Sequence, residues 1–136
     1  MSGAEIDNPS AAAMYETDAA IHHLGIEIVS VDEGSATVAM TVTDTMVNGY
    51  AVCHGGLVFT LADTAMAYAS NSLGSRALAA SASIEFLRPA YADQRIIATA
   101  TSPHVGQRTS YWDVAVTNPN GDTVAIFRGR TKVFDG

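Results

Sequence analysis

Basic residues are scarce in this 136-residue chain, and their scarcity narrows the range of partners. Seven Lys and Arg stand against fourteen Asp and Glu, which gives a formal net charge of −7 at pH 7. Nucleic acid and anionic membranes attract positively charged proteins, so we expect neither as a partner. All but one of the basic residues are arginines. Because arginine binds phosphate through two parallel hydrogen bonds, a small phosphorylated ligand is still compatible with this charge.

Cysteine is nearly absent as well, since Cys53 is the only one. A single thiol excludes a disulfide framework within the chain. No apolar segment reaches the ~18 uncharged residues of a typical membrane-spanning helix. The N-terminus also lacks the basic start and apolar block of a signal peptide. We therefore expect a cytoplasmic protein that has no contact with a membrane.

The patterns typical of metal sites are weak too. The four histidines, His22, His23, His54 and His104, are accompanied by no second cysteine and by no helical pair backed by a carboxylate. We expect neither a metal nor another cofactor. A nucleophile made of Cys53 and His54 is also disfavoured, because adjacent side chains do not readily hydrogen-bond to each other. Cys53 is better explained as a small buried hydrophobic residue.

The chain does contain one unusual stretch, residues 48–74. It begins as a polar loop, passes through His54-Gly55-Gly56 and becomes a helix that is apolar on almost every side. That pattern predicts a helix buried all round. Asp63 lies in the middle of this helix, and no Lys or Arg occurs between positions 48 and 74. An ionised Asp63 therefore costs on the order of several kcal/mol unless another group compensates. Asp63 is either a structural acid that hydroxyls or the N-terminus of another helix satisfy, or a perturbed acid at a functional site.

Small and polar residues of this helix share one stripe on a helical wheel. The stripe consists of Gly56, Thr60, Asp63, Ala67, Ser70, Asn71 and Gly74. Small side chains at spacings of three and four let a ligand or another backbone approach closely. We therefore expect Gly56, Ala67 and Ser70 to contact the substrate, with Asp63 as the reactive group.

The start of the helix is a second candidate site. Its first N–H groups have no acceptor within the helix, and the helix dipole makes this end positive. In a functional role these N–H groups bind a developing oxyanion, and Gly55 allows a substrate to approach. In a structural role His54-Gly55-Gly56 merely provides a tight entry to the helix. Asn48, in the preceding loop, is equally compatible with a site residue and with a turn former.

Patterns elsewhere predict a single α+β domain over residues 1–136. Residues 1–10 should be a poorly ordered lead-in, and 11–23 one short helix with Glu16 and Asp18 on its exposed side. Strands are predicted near 24–29, 35–42, 77–88, 95–102, 107–117 and 123–134, the last four in a meander, with Pro103 ending the strand at 95–102. A tight turn at 120–121 pairs Asp113 with Arg128. The result is a curled antiparallel sheet wrapped around one long central helix.

The chain contains a set of motifs: Asn48-Gly49, Cys53-His54-Gly55-Gly56, Leu61-Ala62-Asp63-Thr64-Ala65, Asn71 and Ile84-Glu85-Phe86-Leu87-Arg88-Pro89. Together they carry a strong resemblance to the phenylacetate-pathway thioesterases of the hotdog superfamily. It runs from the first hairpin to the last strand, and its spacing is fixed over some forty residues. It implies the hotdog fold and the hydrolysis of an acyl-CoA.

The resemblance also implies roles for individual residues. Asp63 matches the catalytic carboxylate, Gly55 the backbone donor that polarises the thioester carbonyl, and Asn48 a loop residue that positions water or substrate. A related aryl-CoA group has Thr where this chain has Ala67, so Thr64 becomes the candidate that orients water. We include His54 among the candidate catalytic residues. The family requires no metal and forms dimers that pair into tetramers.

We therefore expect an acyl-CoA thioesterase that acts on an aromatic acyl group such as phenylacetyl or hydroxyphenylacetyl. The alternatives are a noncatalytic acyl-CoA-binding hotdog protein and a hotdog enoyl-CoA hydratase. Since Gly55 and Asp63 lie about 12 Å apart along one helix, we expect a homodimer with shared active sites. The resemblance implies that these dimers assemble to a homotetramer. Arg108, beside Gly106, is the first candidate for the CoA phosphates and Arg88 is the second.

Overall fold

The computed structural model describes residues 5–134. In order, its elements are α1 (Pro9–Thr17), α2 (Ala19–Leu24), β1 (Glu27–Asp32), β2 (Ser35–Thr41), a 3-10 turn (Asp44–Met46), α3 (Gly55–Asn71), β3 (Ala77–Phe86), β4 (Arg95–Val105), β5 (Thr109–Thr117) and β6 (Thr123–Val133). None of the helices within 5–134 is long and apolar enough to cross a bilayer.

The six strands form one antiparallel sheet in the order β1-β2-β4-β5-β6-β3. The predicted pairing of the last two strands is confirmed, because Asp113 lies opposite Arg128 and the two side chains form hydrogen bonds of 2.6 and 2.9 Å. The predicted four-strand meander is wrong for β3, which pairs with β6 at the far edge. The reason is that α3 carries the chain from β2 across the sheet before β3 begins.

The inner face of the sheet packs against α3 and forms the core. Trp112 is fully buried, and its indole N–H donates to the Thr131 hydroxyl at 2.9 Å. The same hydroxyl lies 2.7 Å from that of Ser70, so the buried polar atoms of helix and sheet satisfy one another. At Gly129 of β6, a Cβ would meet the Met66 side chain, so the absence of a side chain lets helix and sheet approach closely.

The N-terminal region differs from its prediction in two ways. The helix expected over 11–23 is two helices that break at Asp18, whose backbone has φ −81° and ψ 82°. Asp18 is half-buried rather than exposed, because its carboxylate accepts a hydrogen bond from the buried Tyr68 hydroxyl at 3.1 Å. Residues 5–10 are packed rather than loose: Ile6 joins the core and the Asn8 side chain caps α1. Residues 1–4 lie outside the described part of the chain.

Pro103 does not end β4, which continues to Val105. The pairing with β5 shifts between Thr101 and His104, so the proline lies in an irregular segment of the ladder. Such a bulge accommodates a residue that has no N–H to donate.

The central helix α3 begins at Gly55, and its apolar side is buried as predicted. The opposite side is not, because Gly56 is exposed and Thr60, Asp63 and Ala67 are only half-buried. The expectation of a helix buried all round is therefore wrong for the described chain. Apart from Ser70, the stripe of small residues is left partly open.

Candidate active site

A pocket of about 330 Å³ opens at the start of α3, and we call it the Gly55 pocket. Its walls come from the loop before α3, the first turn of α3, the end of β3 and the segment that follows β3. It is lined by Asn48, Val52, Cys53, Gly55, Val58, Phe86, Leu87, Arg88, Pro89, Ala90 and Val124. The fold thus brings together three of the predicted site residues, namely Asn48, Gly55 and Arg88.

The N–H groups of Gly55 and Gly56 are available at this end of the helix. The His54 carbonyl accepts hydrogen bonds from Leu57 and Val58, but no acceptor for the first two N–H groups is found among residues 5–134. His54 precedes the helix in an extended conformation, with φ −54° and ψ 133°, and its side chain makes no cap hydrogen bond. The Gly55 N–H lies in a pocket wall and is therefore a suitable donor for a carbonyl oxygen or oxyanion.

Asn48 is a turn former in this structure. Its side-chain oxygen accepts hydrogen bonds from the backbone N–H groups of Tyr50 at 2.8 Å and Val52 at 3.2 Å. These contacts hold the loop that forms one wall of the Gly55 pocket. The structure thus shows Asn48 as a turn former that also lines the pocket wall, and its role in positioning water or substrate stays a prediction.

Asp63 lies two turns further along α3, half-buried on the open stripe. Neither a hydrogen bond nor an ion pair to its side chain is found within residues 5–134. Burial raises the pKa of the Asp63 carboxyl above its usual range, and the negative charge of Asp18 raises it further. A half-buried carboxylate with a raised pKa and no partner suits a general base or a nucleophile.

The other polar candidates near the helix start are placed less favourably. Burial raises the pKa of the Cys53 thiol, which keeps it protonated and disfavours it as a nucleophile. His54 is exposed. Thr64 is buried and donates its hydroxyl hydrogen to the Thr60 carbonyl at 2.7 Å, so that hydrogen is not directed at a ligand. Among residues 5–134, no three His, Cys, Asp or Glu side chains are grouped to hold a metal.

Ser70 does not belong to the open stripe, and its expected contact with substrate is corrected. It is buried, and its hydroxyl is hydrogen-bonded to Thr131 of β6. The wheel places Ser70 in line with Asp63, but β6 covers the C-terminal half of α3. Because a sheet twists relative to a straight helix, the buried side of the helix changes along its length.

The two arginines predicted for the CoA phosphates lie far apart in one chain. Arg88 lines the Gly55 pocket and donates to the Thr123 carbonyl at 3.0 Å. Arg108 is exposed beside Lys132 and Leu78, next to the beginning of β3. Since β3 runs for ten residues, its two ends are separated by roughly 30 Å. One chain alone therefore does not place both arginines around one phosphate group.

Known proteins resemble this chain over most of its length. Residues 50–125 match the family model described as the Thioesterase superfamily. The acyl-coenzyme A thioesterase PaaI of Escherichia coli (strain K12) is 50% identical over 127 residues, which are 93% of this chain and 91% of that protein.

Solved structures agree with this match. The structure of the E. coli PaaI protein from the phenylacetic acid degradation operon superposes with a TM-score of 0.92 at 50% identity, covering 93% of this chain and 92% of the other. A mutant of the phenylacetic acid degradation protein PaaI from Thermus thermophilus superposes with a TM-score of 0.83 at 32% identity, covering 86% of this chain and 100% of the other. A protein from Streptococcus mutans UA159, whose structure was solved bound to acetyl CoA, superposes with a TM-score of 0.78 at 30% identity, covering 80% of this chain and 88% of the other.

Proposed function

This chain belongs to the thioesterase superfamily, and from that premise we propose that it hydrolyses an acyl-CoA to a free acid and CoA. The acyl group is aromatic, of the phenylacetyl or hydroxyphenylacetyl type, in keeping with the relatives from phenylacetic acid degradation. One observation carries the chemistry. Asp63 is a half-buried carboxylate with no partner among the described residues, on a helix whose first residue, Gly55, lines a pocket and has an N–H without an acceptor among the same residues.

The mechanism assigns one group to the carbonyl oxygen of the thioester and another to the attack on its carbonyl carbon. The Gly55 N–H donates to the thioester carbonyl oxygen and stabilises the negative charge that develops on it. Asp63 either attacks the carbonyl carbon to form a mixed anhydride or removes a proton from an attacking water. In both routes the C–S bond breaks, and the CoA thiolate takes up a proton and is released as the thiol. In the first route water then hydrolyses the mixed anhydride, which releases the free acid and restores the Asp63 carboxylate, whereas the second route gives the free acid directly.

The distance between these two groups requires a second chain. Gly55 and Asp63 are eight residues apart on α3, which corresponds to about 12 Å along the helix axis. The residues that line the Gly55 pocket do not include Asp63. An aspartate side chain and the reacting atoms bridge about half of that distance. We therefore assign the N–H and the carboxylate of one site to two protomers.

β3 supports a specific way of pairing the protomers. It is the edge strand beside β6, its free edge has no partner strand among the described residues, and nearly all of its side chains are exposed. Four alanines and two serines make up most of its ten residues, and Glu85 is the only charge. A long edge strand with a single charge and no proline is a template for pairing with another strand.

A twofold axis at this edge would pair β3 with its copy in antiparallel fashion. The two α3 helices then also run antiparallel, which brings the Gly55 end of one beside Asp63 of the partner subunit. The open stripe of Gly56, Thr60 and Ala67 becomes the groove between the helices. Each dimer would contain two active sites.

Release of free thiol from a panel of acyl-CoAs tests the proposed function. We expect turnover with phenylacetyl-CoA and hydroxyphenylacetyl-CoA to exceed that with short aliphatic acyl-CoAs. Binding of every acyl-CoA without thiol release would instead indicate the noncatalytic binding protein. Addition of water to an enoyl-CoA, with the thioester left intact, would indicate the hydratase.

Removing one of the candidate phosphate-binding arginines should weaken CoA recognition selectively. Arg108→Ala is expected to raise KM for acyl-CoA by about tenfold and to leave KM for an acyl-pantetheine, which lacks the nucleotide, within about twofold. Arg88→Ala should act in the same direction with a smaller effect. Steady-state kinetics with both substrates measure the difference.

Arg95→Ala is the matched control, because Arg95 is an exposed arginine that pairs with Glu27. It lines neither the pocket that contains Arg88 nor the one that contains Arg108. The substitution should leave both KM values unchanged. Equal effects of Arg108→Ala on the two substrates would remove Arg108 from the phosphate site.

Assembly and location complete the proposal. The paired dimers are expected to form a homotetramer, as the family resemblance implies, and light scattering of the native protein measures this mass. A cytoplasmic location agrees with Cys53, which is free and buried.

A further inference from the structure

The contact between Phe86 and Gly55 explains why the helix begins with a glycine. A Cβ placed on Gly55 would lie 2.9 Å from Cζ of Phe86 and 3.3 Å from both neighbouring ring carbons. The ring therefore points its tip at the first residue of α3 and occupies the space of a side chain there. At Gly56 a Cβ would meet nothing within 4 Å. Of the two glycines, only Gly55 is required by packing.

Phe86 is placed unusually for a packed aromatic residue. It is the last residue of β3, opposite Ala125 of β6, and 54% of its surface is exposed. The ring nevertheless lies against the helix end that carries the Gly55 N–H, and it lines the Gly55 pocket. A glycine has no side chain that could fix the first helical turn. The Phe86 ring lies where the side chain of any other residue would begin.

We propose that Phe86 is a positioning residue for the carbonyl-binding N–H of Gly55. The ring fixes the first turn of α3 and keeps water away from the donor. Both effects strengthen a hydrogen bond to a developing oxyanion, since a donor that is held in place and poorly solvated stabilises charge better than a mobile, hydrated one. The proposal rests on the proposed thioesterase function, because it concerns the donor used in that reaction.

A double-substitution experiment distinguishes this role from simple substrate access. Gly55→Ala keeps the N–H but forces the ring aside, so kcat should fall by about tenfold while KM stays within about twofold. Phe86→Leu keeps an apolar wall that ends short of the ring tip, and kcat should fall by about threefold. The combined variant should be no worse than Phe86→Leu alone and therefore more active than Gly55→Ala.

The contrary results are equally specific. If the added methyl group of Gly55→Ala obstructs the substrate, the two losses will multiply and shortening Phe86 will rescue nothing, which would overturn the proposal. Phe86→Ala supplies a second test that leaves Gly55 untouched: wild-type kcat in that variant would also overturn it. Val105→Ala, which truncates a residue of similar exposure, 51%, at the end of β4, is the matched control and should leave kcat unchanged.

Measurements of native mass and thermal unfolding check whether each variant retains the fold and the assembly. Failure of the proposed function has a different signature. A wild-type protein that releases no thiol from any acyl-CoA would refute the thioesterase assignment, whereas an active wild type without rescue would refute only the role of Phe86.

Discussion

Asp63→Asn is expected to lower kcat by about 10²- to 10⁴-fold and to leave KM within about twofold of the wild type. The amide has nearly the same volume as the carboxylate, but it can neither attack a carbonyl carbon nor accept a proton from water. Substrate contacts along the open stripe remain, so binding is preserved. Thiol release under steady-state conditions gives both constants.

Asp122→Asn is the matched control, since it removes one negative charge from an exposed turn between β5 and β6. It should leave kcat unchanged. If Asp63→Asn retains most of its turnover while folding and assembling normally, another group carries the chemistry.

The raised pKa of Asp63 gives this prediction a pH dependence. Burial, followed by the charge of Asp18, makes the folded protein bind the Asp63 proton more tightly than the unfolded chain does. The ionised group therefore lowers stability above its folded pKa, and this penalty disappears below the unfolded value. At neutral pH the Asp63→Asn variant should be at least as stable as the wild type, and the difference should vanish on acidification. On acidification, the activity of the wild type should fall as the pH passes through the pKa that Asp63 has in the folded protein.

Much of the fold could be predicted because local patterns and tertiary packing agree. The pairing of Asp113 with Arg128 was predicted from alternating buried positions and from a two-residue turn at 120–121. The pairing is confirmed but the turn is wrong: the Gly121 N–H donates to the Asn118 carbonyl and the Asn118 N–H to the Asp122 carbonyl, and a shift between Val116 and Thr117 restores the predicted register. The start of α3 at Gly55 followed from the change from loop to helical periodicity. In each case a short-range signal was sufficient.

The errors arose where a long-range contact decides the structure. The break at Asp18 accompanies a hydrogen bond to Tyr68, fifty residues away, which no helical pattern within 11–23 contains. The position of β3 at the far edge depends on the path of α3 across the sheet. Ser70 is buried because β6 covers it, although its place on the helical wheel matches that of Asp63.

The candidate site was predictable in part for the same reason. Asp63 stood out as a charge without a counterion in an apolar helix, and the glycines marked the helix start. Phe86 was part of the motif that carried the family resemblance, but its contact with Gly55 joins β3 to α3 across thirty-one positions. A single sequence contains no signal for that contact. The proposal of a shared site rests on the helical rise.

Gly55→Pro should abolish the donor while preserving the helix. Proline is tolerated at the first helical position, and the extended backbone of His54 suits a residue that precedes proline. Gly55→Ala is the matched control, because it adds the same Cβ against Phe86 but keeps the N–H. We expect kcat of Gly55→Pro to lie about 10²- to 10³-fold below that of Gly55→Ala. Similar rates for the two variants would show that the N–H does not bind the carbonyl oxygen.

Complementation between inactive variants tests most directly whether one site is built from two chains. Gly55→Pro and Asp63→Asn are unfolded together, refolded and checked by mass for hybrid dimers, with each variant alone shown to fold and dimerise. In a hybrid, one site combines an intact Gly55 with an intact Asp63 of the partner subunit. Random pairing makes half of the dimers hybrids with one good site of two, so about a quarter of wild-type activity should return. Verified hybrids that remain inactive would contradict the shared site.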